Sequence, residues 1–149
     1  MLHFDPWNLL TILIAALVFW VQFRQFRTDR AKFKLDLFEK RFQVFSGTRR
    51  LLSRVLQRAN VDLNTLFEYR AAIGEASFLF GNDITDYLSE IDRRALQLHT
   101  LHETMNPLPR GDERSRLASE ISSELQWLTG QLPELKNRFA PYLSFARWR

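Results

Sequence analysis

Residues Trp7 to Phe23 have the sequence WNLLTILIAALVFWVQF, and this stretch sets the architecture of the chain. None of these residues is charged, and only Asn8, Thr11 and Gln22 are polar. As an α-helix the stretch would be about 26 Å long, close to the ~30 Å hydrocarbon thickness of a bilayer. A core helix of a small domain normally keeps a polar face, which this stretch lacks. We therefore expect a transmembrane helix.

The flanks of the stretch fit a membrane span. Asp5 and Pro6 are typical of a helix start, and Trp7 and Trp20 lie near the two ends, where indole rings favour the headgroup layer. A cleaved signal peptide is disfavoured, because no basic segment precedes the stretch and no small-x-small site follows it. The side chains expected in the hydrocarbon are Trp7, Leu9, Leu10, Ile12, Leu13, Ile14, Leu17, Val18, Phe19, Trp20 and Val21.

Basic residues lie on one side of the apolar stretch only. Between Arg24 and Arg58 there are eleven Lys and Arg residues against three acids, whereas no Lys or Arg precedes Trp7. The positive-inside bias therefore predicts an outside N-terminus and a domain on the cytoplasmic side of a bacterial inner membrane. Nucleic-acid binding is disfavoured, because a basic run beside a span already has this explanation. The residues expected at lipid headgroups are Arg24, Arg27, Arg30, Lys32 and Lys34.

The rest of the chain has helical periodicity. Residues 29–59 are predicted to continue the first helix, and Gly47 is expected to mark a kink or a close approach to a neighbour. Further helices are predicted over residues 63–80, 84–104 and 113–129, with Gly130 and Pro133 separating a short last helix. The inward positions predicted on the long helix are Leu35, Phe38, Phe42, Phe45, Arg49, Leu52 and Leu56, with Val44, Leu51 and Val55 widening the stripe. Those predicted on the next two helices are Leu66, Phe67, Ile73 and Phe80, then Ile84, Leu88, Ile91, Ala95, Leu98 and His102.

These patterns predict an all-α protein. The expected architecture is an N-terminal transmembrane helix that continues into a cytoplasmic up-down helical bundle of about four helices. Residues 1–27 would form the anchor with its flanks, and residues 28–149 would form the bundle domain.

No residue pattern predicts a reaction. Cysteine is absent, which removes disulfides, thiolate metal sites and cysteine nucleophiles together. A metal site at His99 and His102 is disfavoured, because the Glu-x-x-His pairs of di-iron bundles are missing. Glu68 and Glu75 share one helix face and are expected to pair with Arg49 and Arg50 rather than to act as acid and base. We therefore predict no catalytic residues, no cofactor, no metal and no small-molecule substrate.

Two segments carry a resemblance to known proteins. KFKLDLFEKRFQVF (Lys32 to Phe45), together with EYRAAIGEASFLFG (Glu68 to Gly81), resembles a group of uncharacterised bacterial single-span proteins. In that group a basic juxtamembrane helix of the form KLDLFEKRF leads into a helical domain. The resemblance covers roughly residues 20 to 100, implies a bacterial inner-membrane location and supplies no catalytic residues.

Two functions are consistent with this architecture. The first is a non-enzymatic membrane-anchored interaction module, which self-associates or tethers a cytoplasmic protein partner. Phe33 and Leu37 are the expected oligomer or partner contacts, because one bundle can bury only one of the apolar stripes on the long helix. The alternative is a membrane-active effector, such as a toxin or defence protein, that acts by oligomerising its transmembrane helices.

Overall fold

The structure of the protein, a computed structural model, describes residues 6–144, apart from the side chains of residues 6–10, 12, 21 and 23–31. Throughout this part the regular elements are helices, which confirms the predicted all-α class and helical bundle. The chain divides into two compact units, Met1–Leu37 and Phe38–Arg149. The helices are α1 (Pro6–Arg58), α2 (Leu63–Ile73), α3 (Ala76–Leu79), α4 (Asn82–Met105) and α5 (Asp112–Leu143).

Helix α1 is continuous over 53 residues. It starts at Pro6, where proline is favoured in a helix, and no proline occurs again until Pro107. The prediction that one helix runs on to about residue 59 is confirmed. The helix contributes residues to both units, and its residues from Phe38 onward belong to the bundle.

The buried face of α1 is one part of the predicted stripe. Val44, Leu51, Leu52 and Val55 were predicted inward and are buried, whereas the predicted positions Leu35, Phe42, Arg49 and Leu56 are exposed. The predicted aromatic positions Phe38 and Phe45 are half-buried. Gly47 and Thr48 are buried on the same face, and the Thr48 hydroxyl donates to the carbonyl oxygen of Val44 at 2.9 Å. That bond satisfies a buried polar group within the helix itself.

The chain reverses direction in the four residues after α1. Ala59 adopts a left-handed conformation with φ of 53°, which ends the helix as a glycine commonly does. The amide oxygen of Asn60 then accepts from the backbone N–H of Val61 at 2.7 Å, and Asp62 caps α2 by accepting from the N–H of Thr65 at 2.8 Å. Helix α2 therefore returns antiparallel to α1.

The predicted second helix, residues 63–80, is broken into α2 and α3. The break lies at Gly74 and Glu75. The backbone N–H of Gly74 donates to the carbonyl oxygen of Ala71, whereas a regular α-helix would use that of Arg70, and Glu75 leaves the helical region with ψ of 2°. The break turns α3 so that Ala76 and Phe80 enter the core. The predicted inward position of Phe67 is wrong, because that ring is exposed, and the buried aromatic residue of α2 is Tyr69 instead.

Helix α4 matches its prediction closely. Five of the six predicted inward positions, from Ile84 to Leu98, are fully buried, while His102 is half-buried. The helix packs against α2, α3 and α5 and is the centre of the bundle. The apolar spacing of three and four residues is regular here, so the sequence pattern and the packing agree.

Helix α5 corrects the prediction of two separate helices. It runs unbroken through Gly130 and Pro133. A proline inside a helix costs about 3 kcal/mol. Burial of Leu135 and Phe139 beyond the proline contributes about 1.5–3 kcal/mol each and outweighs that cost. The stripe that starts at Leu117 therefore continues through the proline to Phe139.

Candidate functional site

The contact between α1 and α2–α3 forms a ladder of ion pairs. Arg54 pairs with Glu68 at 2.7 Å, and Lys40 pairs with Glu75 at 2.9 Å. Glu68 and Glu75 were predicted to pair with bases of α1, but with Arg49 and Arg50. The prediction therefore identifies α1 correctly as the helix that pairs with these acids, but not the bases that do so. Packing sets the register of α1 against the antiparallel α2.

Packing places Gly47 directly against α2. A Cβ added at Gly47 would lie only 2.5 Å from the Cβ of Ala72, so no other residue fits without moving a helix. The prediction that Gly47 marks a close approach is confirmed. This contact fixes which side chains of α1 lie beside Glu68 and Glu75.

A groove of about 550 Å³ opens beside this contact, between α1 and α2–α3. Its floor is apolar and made of small side chains, and its rim is charged. We call it the α1–α2 groove. The lining includes Phe42, Val44, Gly47, Ala71, Ala72 and Leu79, with Lys40, Arg50 and Glu75 among the charged residues.

Large apolar side chains are exposed next to the α1–α2 groove. Phe42 lines it directly, Phe67 lies one turn before Ala71 on α2, and Phe78 lies one turn after Glu75 on α3. Phe78 is the most exposed of them, at 88%. Contiguous apolar patches on monomeric proteins rarely exceed a few hundred Å² and mark interaction sites when they do.

This face was not among the predictions, which placed Phe67 in the core and gave no position for Phe78. A signal was present, because Phe78 and Phe80 are two positions apart and cannot share one face of a helix. Phe80 is buried, which leaves Phe78 outside.

An aromatic cluster surrounds Arg41, which follows the groove residue Lys40 on α1. Its guanidinium donates through Nε to the carbonyl oxygen of Leu79 at 3.0 Å and lies 5.8 Å from the ring centre of Phe80 and 5.4 Å from that of Tyr142. Burial lowers the pKa of Arg41. The Tyr142 hydroxyl donates to Asp83 at 2.8 Å, and this bond raises the pKa of Tyr142. The cluster joins α1, α3, α4 and α5.

A second charged cluster lies between α4 and α5. Arg94 donates to Glu90 at 2.6 Å and to the buried Glu124 at 3.2 Å, and its guanidinium lies 4.3 Å from the ring centre of Trp127. Hydrogen bonds from Arg93 and Arg94 lower the pKa of Glu90 to about 2. Each acid here is neutralised by an arginine, so the cluster acts as an interhelical tie.

The two central histidines are engaged with backbone carbonyls. Nδ1 of His99 lies 2.8 Å from the carbonyl oxygen of Val61, and Nδ1 of His102 lies 3.0 Å from that of Leu98. In the part of the chain that the structure describes, no cluster of three or more His, Asp or Glu residues is placed to hold a metal ion.

The predicted membrane-span residues are placed as follows. Every side chain from Leu13 to Trp20 is exposed, including the predicted span residues Leu13, Ile14, Leu17, Val18, Phe19 and Trp20. The side chains of Trp7, Leu9, Leu10, Ile12 and Val21 lie outside the described residues. No helix is long and apolar enough to cross a membrane when only the described residues are considered.

The remaining predicted residues also lie in the unit Met1–Leu37. Lys32, Lys34 and Phe33 are exposed, and Leu37 is half-buried. The side chains of the predicted headgroup residues Arg24, Arg27 and Arg30 lie outside the described residues.

Comparison with known proteins adds no further constraint on the site. No protein-family model, no curated protein and no solved structure matches this chain.

Proposed function

We propose that the chain is a non-enzymatic interaction module that is anchored in the bacterial inner membrane and presents its bundle to the cytoplasm. The observation that carries the proposal is the exposure of the side chains from Leu13 to Trp20. Six large apolar side chains face outward there, and each contributes about 1.5–3 kcal/mol when it leaves water. Covering them is worth on the order of 10 kcal/mol, and lipid can cover all sides of a helix at once.

The charges beside this segment support the orientation. Lys32 and Lys34 are exposed on α1, and the sequence adds three arginines between residues 24 and 30. Each basic residue near an anionic leaflet contributes about 1 kcal/mol. The positive-inside bias then favours a cytoplasmic bundle.

The chemistry of the bundle supports binding over catalysis. Among its acids, Glu68, Glu75 and Glu124 pair with arginine or lysine side chains. An acid or base catalyst needs a pKa tuned toward the working pH, whereas Glu90 is shifted the other way. The α1–α2 groove, with its apolar floor and exposed rings, suits a macromolecular partner, and Phe33 offers a further exposed contact on the juxtamembrane helix.

The orientation can be tested cleanly because the chain contains no cysteine. We expect a cysteine at His3 to react with an impermeant maleimide in intact cells. A cysteine at the exposed Ser119 should react only after permeabilisation. Extraction with alkaline carbonate should leave the protein in the membrane pellet.

Three results would count against the proposal. Release by carbonate would show that the chain is not anchored in the membrane, and the opposite labelling pattern would show that the bundle lies on the other side of the membrane. Rapid depolarisation of cells on controlled expression would favour the membrane-active effector.

A further inference from the structure

We propose that the α1–α2 groove binds a second copy of this chain, in a parallel dimer whose two-fold axis is parallel to residues 38–58 of α1. This inference rests on the proposed function, because it names the partner of the interaction module. The α1–α2 groove, the exposed phenylalanines around it and the ion pairs across it carry the argument.

The charges of this face are complementary to themselves. Bases lie on the α1 side, at Lys40 and Arg50, and acids lie on the α2–α3 side, at Glu68 and Glu75. A two-fold rotation about an axis parallel to α1 sets the α1 side of one copy against the α2–α3 side of the other, as an isologous interface requires. Bases then face acids on both sides of the axis.

The heights of these charges along the helices also match. Lys40 and Glu75 already pair within one chain at 2.9 Å, so they lie at one level, and the rotation preserves that level. Both side chains are more than half exposed, and such a pair contributes little by itself. It can therefore be shared with a second copy at little cost. Arg50, which makes no ion pair within the described residues, lies one turn before Arg54, the partner of Glu68, and so comes within about one helical turn of the level of Glu68 in the second copy.

The apolar area agrees with the size of a stable dimer. Phe42, Phe67 and Phe78 are 46%, 61% and 88% exposed. With about 150–250 Å² for each aromatic side chain, they present roughly 400 Å² of apolar surface. Stable dimers bury about 800 Å² per partner, and about 56–65% of that area is apolar. The three exposed phenylalanines thus supply most of the apolar share that one partner needs.

The floor of the groove allows close approach. Gly47, Ala71 and Ala72 carry minimal side chains, so the rings of the second copy can lie near the backbone. A parallel arrangement places residue 38 of both copies at the same end of the dimer. Two chains anchored in one membrane need that arrangement, and membrane confinement raises their effective concentration.

The first test is the protein mass of the full chain in detergent, measured by light scattering. The wild type should have the mass of two chains, and Phe67→Glu with Phe78→Glu should halve it without loss of helicity by circular dichroism. Leu96→Glu is the matched control, since Leu96 is an exposed apolar residue on α4. That variant should remain a dimer.

The second test uses cross-linking in native membranes. A short bismaleimide should join two copies through a cysteine at Ala71, which is exposed on the groove. It should not join them through a cysteine at Ser119 on α5. This test decides the matter even if the double glutamate variant loses its fold.

The outcomes separate this inference from the proposed function. A monomeric wild type, or cross-linking through Ser119 but not Ala71, overturns the groove dimer. A dimer that is lost in Phe33→Glu with Leu37→Glu, and kept when Phe67 and Phe78 are changed, also overturns it and assigns self-association to the juxtamembrane helix. In each case carbonate extraction still decides whether the chain is anchored.

Discussion

Replacement of Gly47 by alanine tests the contact that sets the register of the whole groove. The added Cβ would lie 2.5 Å from the Cβ of Ala72, whereas ordinary contacts between such atoms are 3.4–4 Å. Ala72 cannot rotate away, because its Cβ is fixed to the backbone of α2. The clash is relieved only if α1 and α2 separate, and overpacking of this kind costs about 1–3 kcal/mol.

The gain in helix propensity works against this cost. Alanine is favoured over glycine by about 1 kcal/mol in a helix interior. Gly130 provides the matched control, because it lies in α5 with no atom within 4 Å of an added Cβ. Gly130→Ala should therefore raise the free energy of unfolding by about 1 kcal/mol. Gly47→Ala should lower it by about 1 kcal/mol, so that the two variants differ by about 2 kcal/mol.

Urea unfolding in mild detergent, followed by circular dichroism, measures both values by linear extrapolation. A second change provides the internal check. Ala72→Gly removes the opposing Cβ, so the variant with both Gly47→Ala and Ala72→Gly should recover the steric loss. If Gly47→Ala is as stable as Gly130→Ala, the two helices do not approach as described. The register of the ion pairs between α1 and α2–α3 would then be wrong as well.

Three further changes test other parts of the bundle. Phe139→Ala should cost about 3–5 kcal/mol in urea unfolding, because the ring is fully buried; a cost below about 1 kcal/mol would show that the ring is not in the core. Ala59→Gly should stabilise the protein by about 1 kcal/mol, since it relieves the left-handed alanine with φ of 53°; a lower melting temperature would contradict this. The pKa of Glu90 is lowered from 4.5 to about 2, so its stabilisation is present above pH 4.5 and lost as the pH falls through 2. Glu90→Gln should accordingly be less stable than the wild type at pH 7 and equal to it near pH 2, and a gap that persists at low pH would show that the ion pairs are not its source.

The sequence predicts α4 well because one physical effect dominates there. Its apolar residues recur with the helical period on a helix that packs on three sides, so periodicity alone identifies the core. In α5 two effects compete. Local propensity predicts a break at Pro133, but burial of Leu135 and Phe139 on the far side outweighs it, and that burial depends on neighbours far away in the sequence.

The face of α1 shows a different reason for failure. Bulk and hydrophobicity favour Phe42 as a core residue, yet the small Gly47 decides which side meets α2. A single sequence does not state which of two apolar stripes finds a partner. For the same reason the pairing of Glu68 and Glu75 with bases of α1 could be predicted, but not the choice of Arg54 and Lys40.

The aromatic cluster at Arg41 has a consequence for the way the protein is made. The carbonyl oxygen that Arg41 reaches at Tyr142 lies 101 residues later in the chain. The contacts between α1 and α2 are local and can form early during synthesis. The cluster must wait until α5 has been translated, and until then Phe45 lacks the ring of Phe139 that it meets at 5.6 Å. Folding is therefore expected to proceed in two stages, with a hairpin that forms on the ribosome and a bundle that closes after α5 emerges.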